Sequence, residues 1–276
     1  MKNLALIATI LAGIALVYTT GDFPSWGDPE SPASLHVSEH YISQSYELTH
    51  TPNIVTAVLA DYRGFDTMFE TIVVFTAALA CFFILRRPRK ECTLSHYYYR
   101  HLATGLVVRM HGPCIAPSGG AFEQIDSDWT PQDIVVGTVC RLLIPFIQIF
   151  ALYVLAHGHY SPGGGFQAGV IFAASYLLLA ISHDLRAVTA RISERFTHIL
   201  AATGVILYAG VGVLGMVEGA NFLDYGGLAG LLRMGLASGH SLGILLVETG
   251  VAMTVCAGLI MIFKLVSSKG TITEGL

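Results

Sequence analysis

The stretch Asp61-Tyr62-Arg63-Gly64-Phe65-Asp66-Thr67-Met68-Phe69-Glu70 runs without a break into the apolar segment Thr71 to Leu85. Three carboxylates and an arginine therefore stand at the mouth of a segment able to cross a bilayer. Ionisable groups in or beside such a segment are costly unless they pair or face water, so their presence reads as a path for ions or protons. Transport is the first function class this points to, and an all-α integral membrane protein is the fold class.

Composition supports that address. Hydrophobic residues make up 53% of the chain and charged residues 12%, against about 25% charged in soluble domains; mean hydropathy is +0.62. Apolar runs approaching the roughly 20 residues that span a bilayer as a helix fall at about 4–20, 66–85, 133–156, 164–182, 196–217 and 239–266. Six transmembrane helices are therefore expected. Gly13 and Pro145 interrupt the first and third only mildly, and the last is long enough to tilt or protrude.

Lys and Arg in short loops favour the cytoplasmic side. The segment Gly21 to Pro52 carries Asp22, Asp28, Glu30, Glu39 and Glu47 with no Lys or Arg, and is expected outside. Arg86, Arg87, Arg89, Lys90, Arg100 and Arg109 place the next connection inside, as Arg186, Arg191 and Arg195 do for a later one. Lys264 and Lys269 place the C-terminus inside as well, giving both ends cytoplasmic. Only the loop Gly219 to Ser238, with Arg233 against Asp224, argues weakly against this topology. The first run also resembles a secretory signal, but no small-x-small site precedes Asp22, so a retained helix is expected.

Five cysteines, at 81, 92, 114, 140 and 256, show no Cys-x-x-Cys spacing, and none falls in an expected external loop. Disulfides and a zinc or iron–sulfur site are not indicated, and Cys81, Cys140 and Cys256 read as small apolar residues. No cofactor, metal or nucleic-acid partner is expected. The chain divides into an N-terminal membrane unit over 1–92, a cytoplasmic linker over 93–130, and a four-helix membrane domain over 131–276. The linker, with Pro113, Pro117 and Gly119-Gly120, is expected to hold at most one interfacial helix. Its run His96-Tyr97-Tyr98-Tyr99-Arg100-His101 suits either lipid headgroups or a neighbouring subunit. No inverted repeat is visible, which disfavours a self-contained secondary transporter.

A second motif, Ser161-Pro162-Gly163-Gly164-Gly165-Phe166-Gln167-Ala168-Gly169, opens the fourth span. Gly163, Gly164 and Gly165 allow close backbone approach, and Gly165 with Gly169 forms a small-x-x-x-small face for helix packing. Gly215 with Gly219, and Gly239 with Gly243, repeat that spacing. A phosphate loop would need a following Lys and Ser/Thr, which are missing.

Together these motifs carry a resemblance. Asp61 to Glu70 with its apolar helix resembles the C-terminal end of the large A subunit of Mrp-type multisubunit sodium/proton antiporters, and the equivalent small subunit of membrane-bound hydrogenases. Arg141 to Ile262, centred on His157-Gly158-His159-Tyr160-Ser161-Pro162-Gly163-Gly164-Gly165-Phe166, resembles the B subunit of the same antiporters, the MnhB domain. The chain looks like the two joined. The resemblance implies a multi-pass subunit of a bacterial or archaeal inner-membrane assembly that exchanges Na+ or another monovalent cation for H+, with other antiporter-type subunits and the lipid bilayer as partners. It implies no enzyme activity in this chain.

Glu70 matches the acidic position of that family's helix, where a buried carboxylate can alternate between a proton and a sodium ion or lock subunits together. Asp61, Arg63 and Asp66 are either pathway groups or a local ion pair, with Asp66 the expected N-cap and Gly64 the turn. Glu248, in Leu246-Val247-Glu248-Thr249-Gly250-Val251, matches a place where the B subunits usually carry Asp. It either joins Thr249 and Gly250 in supplying oxygen ligands to a hard cation or hydrogen-bonds between helices. His157 and His159 are proton relays at the exit or polar caps; pairing either with His240 around haem is not required by the spacing. Gln148 and Glu218 read as structural. The acidic segment 21–52, with His36, His40 and His50, either gathers cations or covers a neighbouring subunit. Three roles follow: an antiporter subunit forming part of the cation or proton path, a subunit of a redox-driven ion pump resembling membrane-bound hydrogenase, or a scaffold that conducts nothing.

Overall fold

A bilayer offers the backbone no partner but itself, so each long hydrophobic run closes into a helix. The computed structural model describes residues 2–86, 95–112, 121–125, 134–182, 191–217, 219–268 and 270. In chain order its helices are α1 (Lys2–Thr19), α2 (Glu39–Thr49), α3 (Ile54–Thr56), α4 (Gly64–Leu85), α5 (Ile134–Ala156), α6 (Gly165–Ser182), α7 (Glu194–Val217), α8 (Gly226–Leu232) and α9 (Leu236–Ser267). Six are long and apolar enough to span a membrane: α1, α4, α5, α6, α7 and α9, as the hydrophobic runs predict.

The chain forms two units, Met1–Leu48 and Thr49–Leu276. In the first, α1 is followed by a short 3-10 turn, Thr20–Asp22, and by a π-helical turn, Ala33–Ser38, that leads into α2. The intervening loop turns at Gly27, whose φ is +78°, and at Asp28, whose carboxylate accepts the Glu30 amide at 2.9 Å.

The second unit is organised around α9, which packs on α4, α5, α6, α7 and α8. Its 32 residues rise about 48 Å, well beyond the roughly 30 Å hydrocarbon layer. Glycines set how closely its neighbours approach. A β-carbon on Gly204 of α7 would overlap the Gly250 carbonyl, and one on Gly250 would lie 2.6 Å from the Gly204 carbonyl oxygen. Thr254 locks the same crossing by donating to the Ala201 carbonyl at 3.0 Å. Ala60, Tyr208, Val211, Leu223, Tyr225, Leu228, Ile244, Val247, Val251 and Val255 form one buried hydrophobic cluster. Cys140 and Cys256 are buried and Cys81 half-buried, all free thiols; Cys92 and Cys114 lie outside the described residues.

Four local readings of the sequence change. Within 93–130 the described residues form no helix but an antiparallel sheet, β1 (Ser95–His101), β2 (Val107–Gly112) and β3 (Phe122–Ile125), in the order β2-β1-β3. Tyr98 faces Arg109 and Tyr99 faces Val108 across β1 and β2; aromatic and β-branched residues suit such a half-buried pleat. Asp66 is not an N-cap: α4 starts one residue after Arg63, and Asp66 lies in its first turn. Lys264 is no loop charge. It is buried near the end of α9, where its ammonium donates to the Ile192 carbonyl at 2.6 Å. Gly219 sits in a turn at φ +77° with nothing near it, so only Gly215 of that pair packs, against the Asp224 carbonyl.

Candidate functional site

Site geometry begins where the N-terminal half of the second unit is interrupted. Asn53 caps α3 through its side-chain oxygen, which accepts the Val55 amide at 3.0 Å. The helix then widens into a π-turn over Ala57–Tyr62, closed by the Arg63 amide donating to the Val58 carbonyl at 2.8 Å. Such a widening leaves carbonyls short of partners, as is common at functional sites. Two buried tyrosines supply hydroxyls: Tyr225 donates to the Ala60 carbonyl at 2.7 Å and Tyr208 to that of Gly64 at 2.9 Å. The Asn53 amide group also donates to the carbonyls of Gly158 and Ser161, at 2.9 and 2.7 Å, and the Thr56 hydroxyl donates to Gly158 at 2.6 Å. The interrupted segment thus grips the loop between α5 and α6.

That loop borders Glu248. The Glu248 side chain is 8% exposed, and its Oε2 has no hydrogen-bond partner among the described residues. It lies in a notch made by missing side chains: a β-carbon on Gly158 would stand 2.8 Å from Oε2, and one on Gly164 would stand 3.0 Å from Oε1. Gln167 Oε1 lies 3.4 Å from the same point beside Gly164, so two side-chain oxygens converge there. A β-carbon on Gly165 would overlap the Glu248 carbonyl oxygen, and one on Gly169 would lie 2.8 Å from that of Ala252. A β-carbon on Gly163 would lie 3.0 Å from Val154 Cγ1. The glycine motif and the carboxylate, 83 positions apart between Gly165 and Glu248, form one locus. Thr249, the residue after Glu248, bonds within α9. Its hydroxyl donates to the Leu245 carbonyl at 2.7 Å, along its own helix.

The remaining sequence candidates separate. His159 is buried and its Nε2 donates to the Ser241 carbonyl at 2.8 Å; burial holds its pKa below the usual 6.5, and the Ser241 carbonyl offsets part of that. His157 is exposed and stacks on Tyr153, with ring centroids 4.2 Å apart. Arg63 and Asp66 form an exposed ion pair at 2.6 Å, and Asp61 is not part of it: its Oδ2 faces His240 Nδ1 at 3.4 Å. Glu70 is exposed on α4 rather than buried within this chain. Gln148 donates to the Ser175 hydroxyl at 3.2 Å, tying α5 to α6. Glu218 lies outside the described residues.

Sequence reading passes over His240 as a partner of Asp61, and over Asn53, Thr56, Tyr208 and Tyr225. Tyrosine and histidine inside or beside glycine-rich apolar helices are the signal that points to the last two and to His240, since their polar ends need partners. Nothing local marks Asn53 and Thr56.

Residues 135–261 match the family model described as a domain related to the MnhB subunit of Na+/H+ antiporter. Residues 6–95 match the MbhE model, described as the E subunit of MBH. The B subunit of the Na(+)/H(+) antiporter of Bacillus subtilis (strain 168) is 32% identical over 130 residues, which is 45% of this chain and 90% of that protein. Among solved structures, a chain of the membrane-bound sulfane sulfur reductase, an archaeal respiratory membrane complex, superposes with a TM-score of 0.60 at 24% identity, covering 96% of this chain and 97% of its own. A chain of the Mrp complex from Dietzia sp. DQ12-45-1b gives 0.56 at 23% identity, with 94% of this chain and 26% of that one covered. These two likenesses show a shared fold.

Proposed function

The chain belongs to the MnhB family, the relatives of the B subunit of Na+/H+ antiporters, and from that premise we propose that it is a membrane subunit of a multisubunit antiporter, with Glu248 in the path of the exchanged cation or proton. The observation that carries this is the buried Glu248 carboxylate, one oxygen unpartnered, in a glycine-lined notch that Gln167 also borders. A carboxylate kept from water without a partner is expensive. Its cost is offset when a proton or a dehydrated cation occupies the notch in turn, and competition for one carboxylate is the elementary act of exchange. Glu70, exposed on α4, completes the path where another subunit covers that surface.

Replacing Glu248 by Gln in the assembled complex should remove nearly all cation-driven proton movement in membrane vesicles, a loss of roughly 100-fold, with subunit composition unchanged. Glu70→Gln should reduce exchange with assembly intact. Full exchange in both variants refutes the path, and disassembly of the complex in both favours a scaffold.

A redox-driven complex is the second reading, favoured by the MBH match over residues 6–95 and by the fold shared over nearly the whole chain with a respiratory complex. Mass spectrometry of proteins co-purifying with the C-terminally tagged chain decides between them. Antiporter-type subunits alone support the first, and metal-cluster subunits the second.

A further inference from the structure

Apart from Glu248, one buried ionisable contact lies in the second unit between the interrupted segment and the start of α9. Asp61 Oδ2 and His240 Nδ1 are 3.4 Å apart. Both atoms are fully buried, and neither has a hydrogen-bond partner among the described residues. Their side chains are 24% and 12% exposed. Tyr225 holds the pair: its hydroxyl donates to the carbonyl of Ala60, the residue before Asp61, while its ring meets that of His240 edge-on with centroids 6.2 Å apart. A β-carbon on Gly243, one turn along from His240, would overlap the Tyr225 ring, so the absence of a side chain there lets Tyr225 lie against α9. His50, held at φ +54°, closes another side with its ring 5.8 Å from that of His240.

The opposite nitrogen of His240 lies beside Gly226. The point where Gly226 would carry a β-carbon is 3.5 Å from His240 Nε2 and 3.0 Å from Asp224 Oδ1. Asp224 is exposed, and the same Oδ1 accepts the Gly226 amide at 3.0 Å. Leu236 Cδ1 lies 3.3 Å from that same β-carbon point, so Gly226 puts no side chain of its own between the imidazole and a surface carboxylate, and Leu236 borders the gap.

We propose that His240 is the proton-transfer residue joining Asp61 to the aqueous surface at Asp224, with Tyr225 positioning both members of the buried pair. Asp61 gives its carboxyl proton to the Nδ1 lone pair, leaving a carboxylate and an imidazolium. The imidazolium releases its Nε2 proton toward Asp224 or water beside Gly226 and returns to neutral as the Nδ1–H tautomer, which water-mediated exchange of the ring proton back to Nε2 resets for the next transfer; the reverse sequence loads Asp61. One proton crosses per cycle, and no residue changes oxidation state. Asp61, His50, Tyr225 and Asp224 are titratable groups facing His240 among the described residues, and a fixed imidazole between a half-buried and an exposed carboxylate suits this role. The assignment rests on the antiporter reading above.

The test is cation-driven proton exchange from pH 6 to 9 in vesicles containing the complete complex, with subunit composition checked for each variant. His240→Gln keeps hydrogen-bonding capacity but cannot carry a proton, and should slow exchange by about ten-fold or more while flattening its pH profile. Asp61→Asn with His240→Gln should be no slower than the worse single variant. Gly226→Ala, which wedges a methyl between imidazole and carboxylate, and Asp224→Asn should each slow exchange and shift the profile. A wild-type rate and profile in His240→Gln overturns the proposal. If His240→Gln does not assemble, wild-type behaviour in both Gly226→Ala and Asp224→Asn overturns it instead. Glu248→Gln run alongside keeps the readings apart: exchange lost there but normal in the His240 variant removes the relay alone, whereas exchange normal in both removes the antiporter path too.

Discussion

His159 shows how a single side chain makes the loop beside Glu248 sensitive to acid. Burial favours its neutral form, so its pKa in the folded protein lies below 6.5, its ordinary value. The unfolded chain then binds more protons than the folded one as pH falls below 6.5. Its contribution to stability is complete above that pH and fades as pH falls toward the lower folded value. Measured against their intrinsic rates at each pH, backbone amides of residues 157–162 should be less protected from deuterium exchange at pH 5.5 than at 7.5 in the purified complex, and His159→Asn should remove much of that difference. Glu248 and its depth were legible in the sequence, because a lone carboxylate in an apolar run is conspicuous. The partnership of Asp61 with His240 was not, because those residues are brought together only by tertiary packing, 179 positions apart.

Among the elements, the short interrupted helix after Asn53 has the largest effect for its size. The Asn53 side chain satisfies the start of α3 and two carbonyls of the α5–α6 loop, and Thr56 adds a third side-chain bond to that loop. Asn53→Ala removes an N-cap worth about 1 kcal/mol and two hydrogen bonds worth about 1 kcal/mol each. Overlap between these terms gives an expected destabilisation of roughly 2 kcal/mol, read by thermal unfolding of the detergent-purified complex. Because Gly158 moves with the loop, the same variant should weaken the apparent affinity for the exchanged cation. All six spans were legible, since about 20 apolar residues in sequence have few other uses. The sheet formed by β1, β2 and β3 was hidden behind Pro and Gly, which mark turns without saying whether helices or strands lie between them; the signal was the β-forming run Tyr97-Tyr98-Tyr99 in β1 and the pair Val107-Val108 in β2, where Tyr99 meets Val108.

For the whole molecule, helices from before and after the sheet in the chain meet around α9, so the second unit should hold together without an intact backbone at its surface. A protease site placed in the exposed turn Leu102–Leu106 should allow cutting in the purified protein while both fragments elute together from a sizing column; their separation would show that chain continuity, not packing, maintains the unit. The relative from Bacillus subtilis matches 45% of this chain, and the MnhB match begins at residue 135, well beyond Asn53. In this chain the Asn53 clamp and the loop it grips are tethered by one backbone, so their meeting depends on tether length and not on how much of either is made. Tethering raises the local concentration of one for the other to about the millimolar range. One backbone therefore fixes a one-to-one ratio between interrupted helix and carboxylate notch, and dilution in the membrane cannot separate them.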